Sequence, residues 1–177
     1  KVINIGFPRL DQKFNIKKIK KKIISEFNLD LSKKIIIYLP TLSLQNKNLV
    51  FKYVAELENL SNLFNVIVRP HPKDQDLHRE KFQIFKKSKL KLDLKNGRNT
   101  SDLMLSSDLI ISDGGSSIIE AVYLKKKIMI HNWLNLVNPE SLEKRFTESS
   151  RLDKIISRKL FNLSNLEKLN KIKKSSL

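Results

Sequence analysis

Two short polar segments of the sequence carry the residue types of anion chemistry. In Arg69-Pro70-His71-Pro72, each proline favours an extended conformation of the residue before it. Side chains two positions apart on an extended chain project to the same side, so Arg69 and His71 are predicted to lie next to each other. A guanidinium binds phosphate oxygens bidentately, and an imidazole donates a hydrogen bond or a proton. We interpret Arg69 and His71 as catalytic candidates that suit a diphosphate.

The second segment spans residues 112–117 and contains a pair of adjacent glycines. Only 4 of the 177 residues are glycine, so this pair is unusual for the chain. Without Cβ atoms, the backbone can approach a ligand closely, and the helix predicted to follow offers free N–H groups to phosphate oxygens. Serine hydroxyls add hydrogen-bond donors. We predict substrate binding by Asp113, Gly114, Gly115, Ser116 and Ser117.

Glu120 has two interpretations, and the sequence leaves both open. The spacing Ser117-x-x-Glu120 fits a capping box, in which the glutamate stabilises the helix start. Alternatively, Glu120 contacts a hydroxyl of the ligand. Asp74 and Asp76 lack a third clustered ligand and are typical of a helix start. We therefore predict no metal and no cofactor.

The elements that must position these residues alternate between short apolar runs and segments of helical period. The predicted strands are Val2–Ile5, Ile35–Leu39, Asn65–Val68, Leu90–Leu94, Leu109–Ser112 and Lys127–Ile130. The predicted helices cover 15–27, 50–60, 77–86, 101–107 and 116–124, and the spacing of Leu163, Leu166, Leu169 and Ile172 predicts C-terminal helices.

Strands that are apolar throughout, joined by helices, are typical of a parallel sheet covered on both faces. We predict an α/β fold with a doubly wound parallel sheet. Such a sheet binds its ligand at the carboxyl ends of the strands. Thr41 follows the strand Ile35–Leu39, which Pro40 terminates, and the pair His131-Asn132 follows the last predicted strand. We therefore expect Thr41 and this pair at the same edge of the sheet as the two polar segments.

The charge of the chain admits other functions. Lys and Arg total 35 against 18 acidic residues, a net charge of +17, but 28 of the 35 are lysines spread along the chain, which we interpret as solvated. A basic nucleic-acid-binding module is the alternative of another class, although aromatic residues are only 7% and no such motif is present. A third possibility is that the lysines of the predicted helix 15–27 contact an anionic membrane surface. The absence of cysteine excludes disulfides.

Five blocks of sequence together resemble the C-terminal half of the CDP-glycerol glycerophosphotransferase family, the teichoic-acid and capsule polymerases with the GT-B glycosyltransferase fold. They follow one another over roughly residues 1–132. The blocks are Gly6-Phe7-Pro8-Arg9-Leu10-Asp11, Ile37-Tyr38-Leu39-Pro40-Thr41, Val68-Arg69-Pro70-His71-Pro72, Ser101-Asp102-Leu103 and Ser107-Asp108-Leu109-Ile110-Ile111-Ser112-Asp113.

The resemblance implies a nucleotide-diphosphate donor whose phosphates face the Arg-His pair and the serines. By position, that role falls on Arg69, His71, Ser116 and Ser117, with Thr41 a weaker candidate. The family usually has an aromatic residue after the aspartate, where this chain has two glycines. Glycine-serine turns of this kind are similar to those of nucleotide-sugar enzymes, including UDP-N-acetylglucosamine 2-epimerases. A UDP-sugar-dependent GT-B enzyme is therefore the alternative within the same fold.

The resemblance further implies an enzyme domain that binds CDP-glycerol and transfers glycerol phosphate, or a related polyol or sugar phosphate, to a growing cell-surface polymer. Arg69 and His71 would stabilise charge on the diphosphate as the bond to the leaving nucleotide breaks. In such enzymes the acceptor and usually the catalytic base lie on a partner N-terminal domain, which we expect to lie outside this sequence; His71 is a second candidate for the base. Alone, the fragment is expected to be inactive.

The expected organisation follows from the same resemblance. Position 1 is Lys rather than Met, so we expect a piece of a longer protein. Residues 1–12 are interpreted as an interdomain strand and linker, 13–135 as a Rossmann-like nucleotide-binding domain and 136–177 as a C-terminal helical segment. The expected location is the cytoplasm, with a peripheral position on the inner membrane face.

Overall fold

A computed structural model of the chain describes residues 8–40, 54–77, 80, 82–112, 116–130 and 160–162. The helices are α1 Ile16–Phe27, α2 Val54–Ser61, α3 Pro72–Leu77, α4 Gln83–Lys86, α5 Thr100–Ser106 and α6 Ser117–Tyr123. The strands are β1 Ile35–Leu39, β2 Asn65–Val68, β3 Lys91–Leu92, β4 Leu109–Ser112, β5 Ile128–Ile130 and β6 Leu160–Asn162.

These strands form one parallel sheet in the order β3-β2-β1-β4-β5-β6. The chain proceeds from β1 toward one edge of the sheet, returns to the middle, and proceeds from β4 toward the other edge. The two central strands therefore meet at a topological switch point, where the connections on either side leave a crevice. The predicted α/β class with a doubly wound parallel sheet is confirmed.

Two apolar cores lie on opposite faces of the sheet. Side chains of β1 alternate between them, which explains why all five residues of this strand are apolar and buried. The first core contains Ile36, Tyr38, Val54, Leu57, Leu60, Phe64, Val66, Val68, Phe82, Phe85, Leu90, Leu109, Ile111 and Met129. The second, under α1, α5 and α6, contains Ile23, Leu29, Ile35, Ile37, Leu39, Ile67, Leu103, Met104, Ile110, Ile118, Ala121 and Ile128.

The helix predicted over 77–86 is wrong. The structure has α3 three residues after β2, and only the four-residue α4, which begins at Gln83, lies inside the predicted range. Proline lacks the amide hydrogen that the first turn of a helix leaves unused, so Pro72 is suited to begin α3. The backbone amide of Asp74 donates to the carbonyl oxygen of His71, which closes the first turn. The Arg-Pro-His-Pro block thus leads from a strand into a helix.

Several predicted features lie outside the described residues. They are the strand Val2–Ile5, the candidates Thr41, Asp113, Gly114 and Gly115, the pair His131-Asn132, and the helical positions Leu163, Leu166, Leu169 and Ile172. Strand β6 lies within the segment 136–177, for which the sequence predicts helices, and it pairs in parallel with β5.

Candidate functional site

The sheet register places polar residues in one row at the carboxyl ends of its strands. Leu39 of β1 is level with Ser112 of β4, and Arg69 and Asp93 follow the paired residues Val68 and Leu92 of β2 and β3. The amide of Arg69 donates to Tyr38 and that of Asp93 to Val68, so the ladder continues to this row. Neighbouring parallel strands are about 4.8 Å apart, which puts the backbones of Arg69 and Ser112 about 10 Å apart.

Serines join the two central strands to the start of α6. The Ser112 side chain is buried, and its hydroxyl donates to the carbonyl oxygen of Leu39 at 3.2 Å. The hydroxyl oxygen of Ser117 lies 3.2 Å from that of Ser112. Ser116, directly before the helix, is exposed. The switch point is therefore lined by hydroxyl groups, which donate hydrogen bonds to oxyanions.

Glu120 does not form the capping box that the sequence permits. The residue before α6 is Ser116, whose side chain makes no capping hydrogen bond. The Oε1 atom of Glu120 instead pairs with the guanidinium Nη2 of Arg9, 111 residues earlier in the chain. Its Oε2 atom is buried and has no hydrogen-bond partner among the residues that the structure describes. The second interpretation, a contact with a ligand hydroxyl, stays a prediction.

The guanidinium of Arg69 lies on the β3 side of the row. Its Nη1 atom pairs with Asp93 Oδ2, and its Nη2 atom donates to the carbonyl oxygen of Arg98 at 3.0 Å. The side chain of Asp93 is only 1% exposed. Arg69 is thus fixed by a buried carboxylate and directed away from β4.

Arg98 links this buried pair to α1. Its Nε atom donates to Asp93 Oδ1 at 3.0 Å, its Nη2 atom pairs with Glu26, and its guanidinium stacks over the ring of Phe27 at 5.4 Å. The hydrogen bond from Arg98 lowers the pKa of Glu26. Burial opposes the charge of Arg98, but its bond with Glu26 and the charge of Asp93 raise the pKa of Arg98 above its ordinary value.

His71 has a separate partner. Its Nδ1 atom accepts a hydrogen bond from the backbone amide of Lys73 at 3.2 Å, in the first turn of α3. An imidazole nitrogen that accepts a hydrogen bond carries no proton, so the proton of the neutral ring is on Nε2. His71 is therefore arranged to donate a hydrogen bond through Nε2.

The structure brings some candidates together and keeps others apart. Ser117 and Glu120 share α6, and Ser117 meets Ser112 at the switch point. Arg69 and His71 have different partners, whereas the sequence predicts that they lie next to each other. Sequence reasoning missed Arg9, Asp93 and Arg98; Asp93 directly follows a strand, which is a signal that could have identified it.

Two absences hold for the described part of the chain. There, no group of three or more His, Asp or Glu side chains is arranged to hold a metal ion. None of the helices found there is long and apolar enough to cross a membrane.

A sequence profile identifies the family. Residues 1–134 match the profile of CDP-Glycerol:Poly(glycerophosphate) glycerophosphotransferase. The chain belongs to this family, which is a family of transferases. No curated protein matches the chain.

Solved structures support a Rossmann-like domain of the GT-B type. A variant of the Wall Teichoic Acid Polymerase TagF is 22% identical, with a TM-score of 0.57 over 84% of this chain and 36% of that one. A TagF variant soaked with CDPG is 26% identical, with a TM-score of 0.51 over 74% of this chain and 32% of that one. The chain thus spans about a third of the TagF chains it matches.

A third similar structure covers nearly the same length. The C-terminal CMP-Kdo binding domain of WaaA from Acinetobacter baumannii is 13% identical, with a TM-score of 0.54. The match covers 89% of this chain and 86% of that domain. At this identity, the likeness concerns the fold alone.

Proposed function

We propose that this chain is the donor-binding domain of a transferase that moves glycerol phosphate from CDP-glycerol to a growing cell-surface polymer. The observation that carries the proposal is the placement of Ser112, Ser117 and Glu120 around the switch point of a parallel sheet, in a chain of the glycerophosphotransferase family. A similar TagF structure was soaked with CDPG. The family match favours a CDP-activated donor over a UDP-sugar and over nucleic acid.

Each candidate has a role in donor binding. The hydroxyls of Ser116 and Ser117 donate to phosphate oxygens, together with the segment Asp113–Gly115 and Thr41. The Oε2 atom of Glu120 accepts a hydrogen bond from a ribose hydroxyl. The Nε2–H group of His71 donates a hydrogen bond to the diphosphate. Arg69 contributes its positive charge to the same edge of the sheet, where charge develops on the leaving group.

The bond changes follow from the donor. An acceptor hydroxyl attacks the phosphorus that bears glycerol, and the bond between this phosphorus and the bridging oxygen breaks. The glycerol phosphate joins the polymer, CMP leaves, and the proton of the hydroxyl goes to a general base. His71 is not suited to be that base, because its unprotonated Nδ1 atom is already occupied by the amide of Lys73. We therefore place the base on a partner domain that also binds the acceptor.

We also propose that the complete enzyme works at the cytoplasmic face of the membrane. Five lysines of α1, at positions 17, 18 and 20–22, are suited to attract anionic lipid. Flotation with vesicles tests this point: the chain should float with vesicles containing phosphatidylglycerol and stay behind with neutral vesicles. Equal behaviour with both kinds of vesicle would exclude an electrostatic membrane contact.

Calorimetric titration of the full chain with CDP, CMP and UDP tests the donor site. We expect the highest affinity for CDP. Glu120→Gln and Ser117→Ala should each weaken CDP binding about tenfold, the effect of losing a hydrogen bond of about 1.4 kcal/mol. Ser61→Ala is the matched control, because the Ser61 hydroxyl also makes one bond, to the carbonyl oxygen of Glu58, at the end of α2.

The control variant should bind CDP as the unmodified chain does. A folded chain that binds none of the three nucleotides contradicts the proposal. The proposal is also contradicted if neither Glu120→Gln nor Ser117→Ala weakens CDP binding.

A further inference from the structure

We propose that Arg9 is a positioning residue of the donor site: it fixes one carboxylate oxygen of Glu120 so that the other oxygen is directed at a hydroxyl of the donor. The inference deepens the proposed function and rests on it. It assigns a role in binding to a residue that the sequence places in the segment before the nucleotide-binding domain.

The main chain around Arg9 is anchored. Arg9 lies in a turn of residues 8–10, and the next residue, Leu10, is only 4% exposed. The side-chain amide of Gln12 donates to the carbonyl oxygen of Arg9 at 3.0 Å. A buried neighbour and a hydrogen bond to its own carbonyl together hold Arg9 where its guanidinium reaches α6.

The two oxygens of Glu120 have different surroundings. Oε1 pairs with Arg9, whereas Oε2 is buried and has no hydrogen-bond partner in the part of the chain that the structure describes. An unsatisfied buried acceptor costs about 1–3 kcal/mol. The ion pair does not offset that cost, because the side chain of Arg9 is 54% exposed and such pairs contribute about 0–1 kcal/mol. A ligand that donates a hydrogen bond to Oε2 accounts for the arrangement.

The pair also suits the charge of the donor. A lone carboxylate beside a diphosphate would repel it, whereas a carboxylate paired with a guanidinium is neutral as a unit. Fixing one oxygen in advance also reduces the conformational freedom that Glu120 loses when the ligand binds. The group that fits Oε2 is therefore an uncharged hydroxyl donor, such as the ribose diol of the nucleotide, rather than a phosphate.

A double-mutant cycle on the full chain tests the inference. The variants are Arg9→Gln, Glu120→Gln and their combination, and calorimetry compares CDP with 2′,3′-dideoxy-CDP, which lacks both ribose hydroxyls. The unmodified chain should prefer CDP about tenfold, and each single substitution should reduce that preference to less than threefold. The double variant should show no greater loss than the stronger single variant, because both changes remove one interaction.

Lys20→Gln is the matched control. Lys20 forms a comparably exposed ion pair with Asp108 at 3.7 Å, before β4 and away from the carboxyl edge. This variant should keep the full preference for CDP. Arg9→Lys, which keeps the charge without the planar fork, should show an intermediate preference and serves if Arg9→Gln fails to fold.

The results separate the inference from the proposed function. If Glu120→Gln removes the preference and Arg9→Gln retains it, the role of Arg9 is overturned and the donor site stands. If Arg9→Gln weakens CDP and its dideoxy analogue by the same factor, Arg9 does not act through Glu120, and the inference is again overturned. If Glu120→Gln leaves CDP binding unchanged, the inference is overturned, and the proposed function fails as well if Ser117→Ala also leaves CDP binding unchanged.

Discussion

Asp93 holds two arginines at the end of β3 while its own side chain is almost completely buried. One guanidinium belongs to Arg69, directly after β2, and the other to Arg98 in the loop before α5, so a single carboxylate joins three parts of the chain. The amide of Lys95 also donates to its Oδ1 atom at 3.2 Å. Because a buried charge without its partner is costly, this residue determines the local structure around Arg69.

Replacing Asp93 by Asn should lower the free energy of unfolding by about 3 kcal/mol, because two largely buried guanidiniums lose their counter-charge. Urea denaturation measures the change. Glu26→Gln is the matched control: it removes a carboxylate that also pairs with Arg98 but whose side chain is 30% exposed, and it should cost less than about 1 kcal/mol. Equal losses in the two variants would show that burial of Asp93 does not determine its contribution.

At the scale of single elements, the sequence predicted the bounds of the buried strands correctly but missed the start of one helix. The strands β1, β2 and β4 match their predicted bounds, because burial on both faces requires unbroken apolar runs. The start of α3 was missed because a proline after a strand was interpreted only as a strand ending. The ion pairs Arg9–Glu120 and Arg69–Asp93 join residues 111 and 24 positions apart, and no local spacing in the sequence indicates them.

Helix α3 allows the capping and binding roles of His71 to be separated. His71→Ala should destabilise the protein by about 1 kcal/mol, because the amide of Lys73 loses its acceptor. His71→Asn should keep most of that stability, because an asparagine oxygen can accept the same bond. Both variants should lose CDP affinity, because neither retains the Nε2 donor. Thermal denaturation and calorimetry measure the two effects; full CDP affinity in His71→Asn would restrict His71 to a capping role.

The ends of α1 and α6 have the same backbone arrangement but different residues. Asn28 after α1 and Lys125 after α6 both have positive φ, at 48° and 55°. Asparagine enters this region more readily than lysine, and glycine enters it without strain. Lys125→Gly should therefore raise stability by about 1 kcal/mol, or the melting temperature by about 3 °C, and Asn28→Gly by only a few tenths of a kcal/mol. A larger gain at position 28 would contradict this explanation.

At the scale of the whole molecule, the chain carries a net charge of +17. Opposite the candidate site, a cavity of about 260 Å³ is lined by Lys34, Ser107, Asp108 and the three consecutive lysines 125–127. Burial lowers the pKa of Lys126, whose Nζ atom donates to the carbonyl oxygen of Leu105. So many like charges repel one another in the folded state.

Salt should therefore stabilise the protein. Raising sodium chloride from about 20 mM to about 300 mM shortens the distance over which charges interact, and the melting temperature should rise by a few degrees. Potassium chloride at equal ionic strength should give the same increase, because screening does not depend on the cation. A melting temperature that falls with salt would mean that attractive ion pairs outweigh the repulsion between lysines.

The central place of β1 has a consequence for synthesis of the protein. This strand leaves the ribosome before either of its neighbours, and β4 follows only after two further strands and four helices of the described residues have been made. Chains are elongated at about 5–20 residues per second, so β1, all of whose residues are buried in the folded protein, stays without one of its partners for seconds. During that interval it is open to contact with other nascent chains, and a chaperone that shields short apolar segments would act there first.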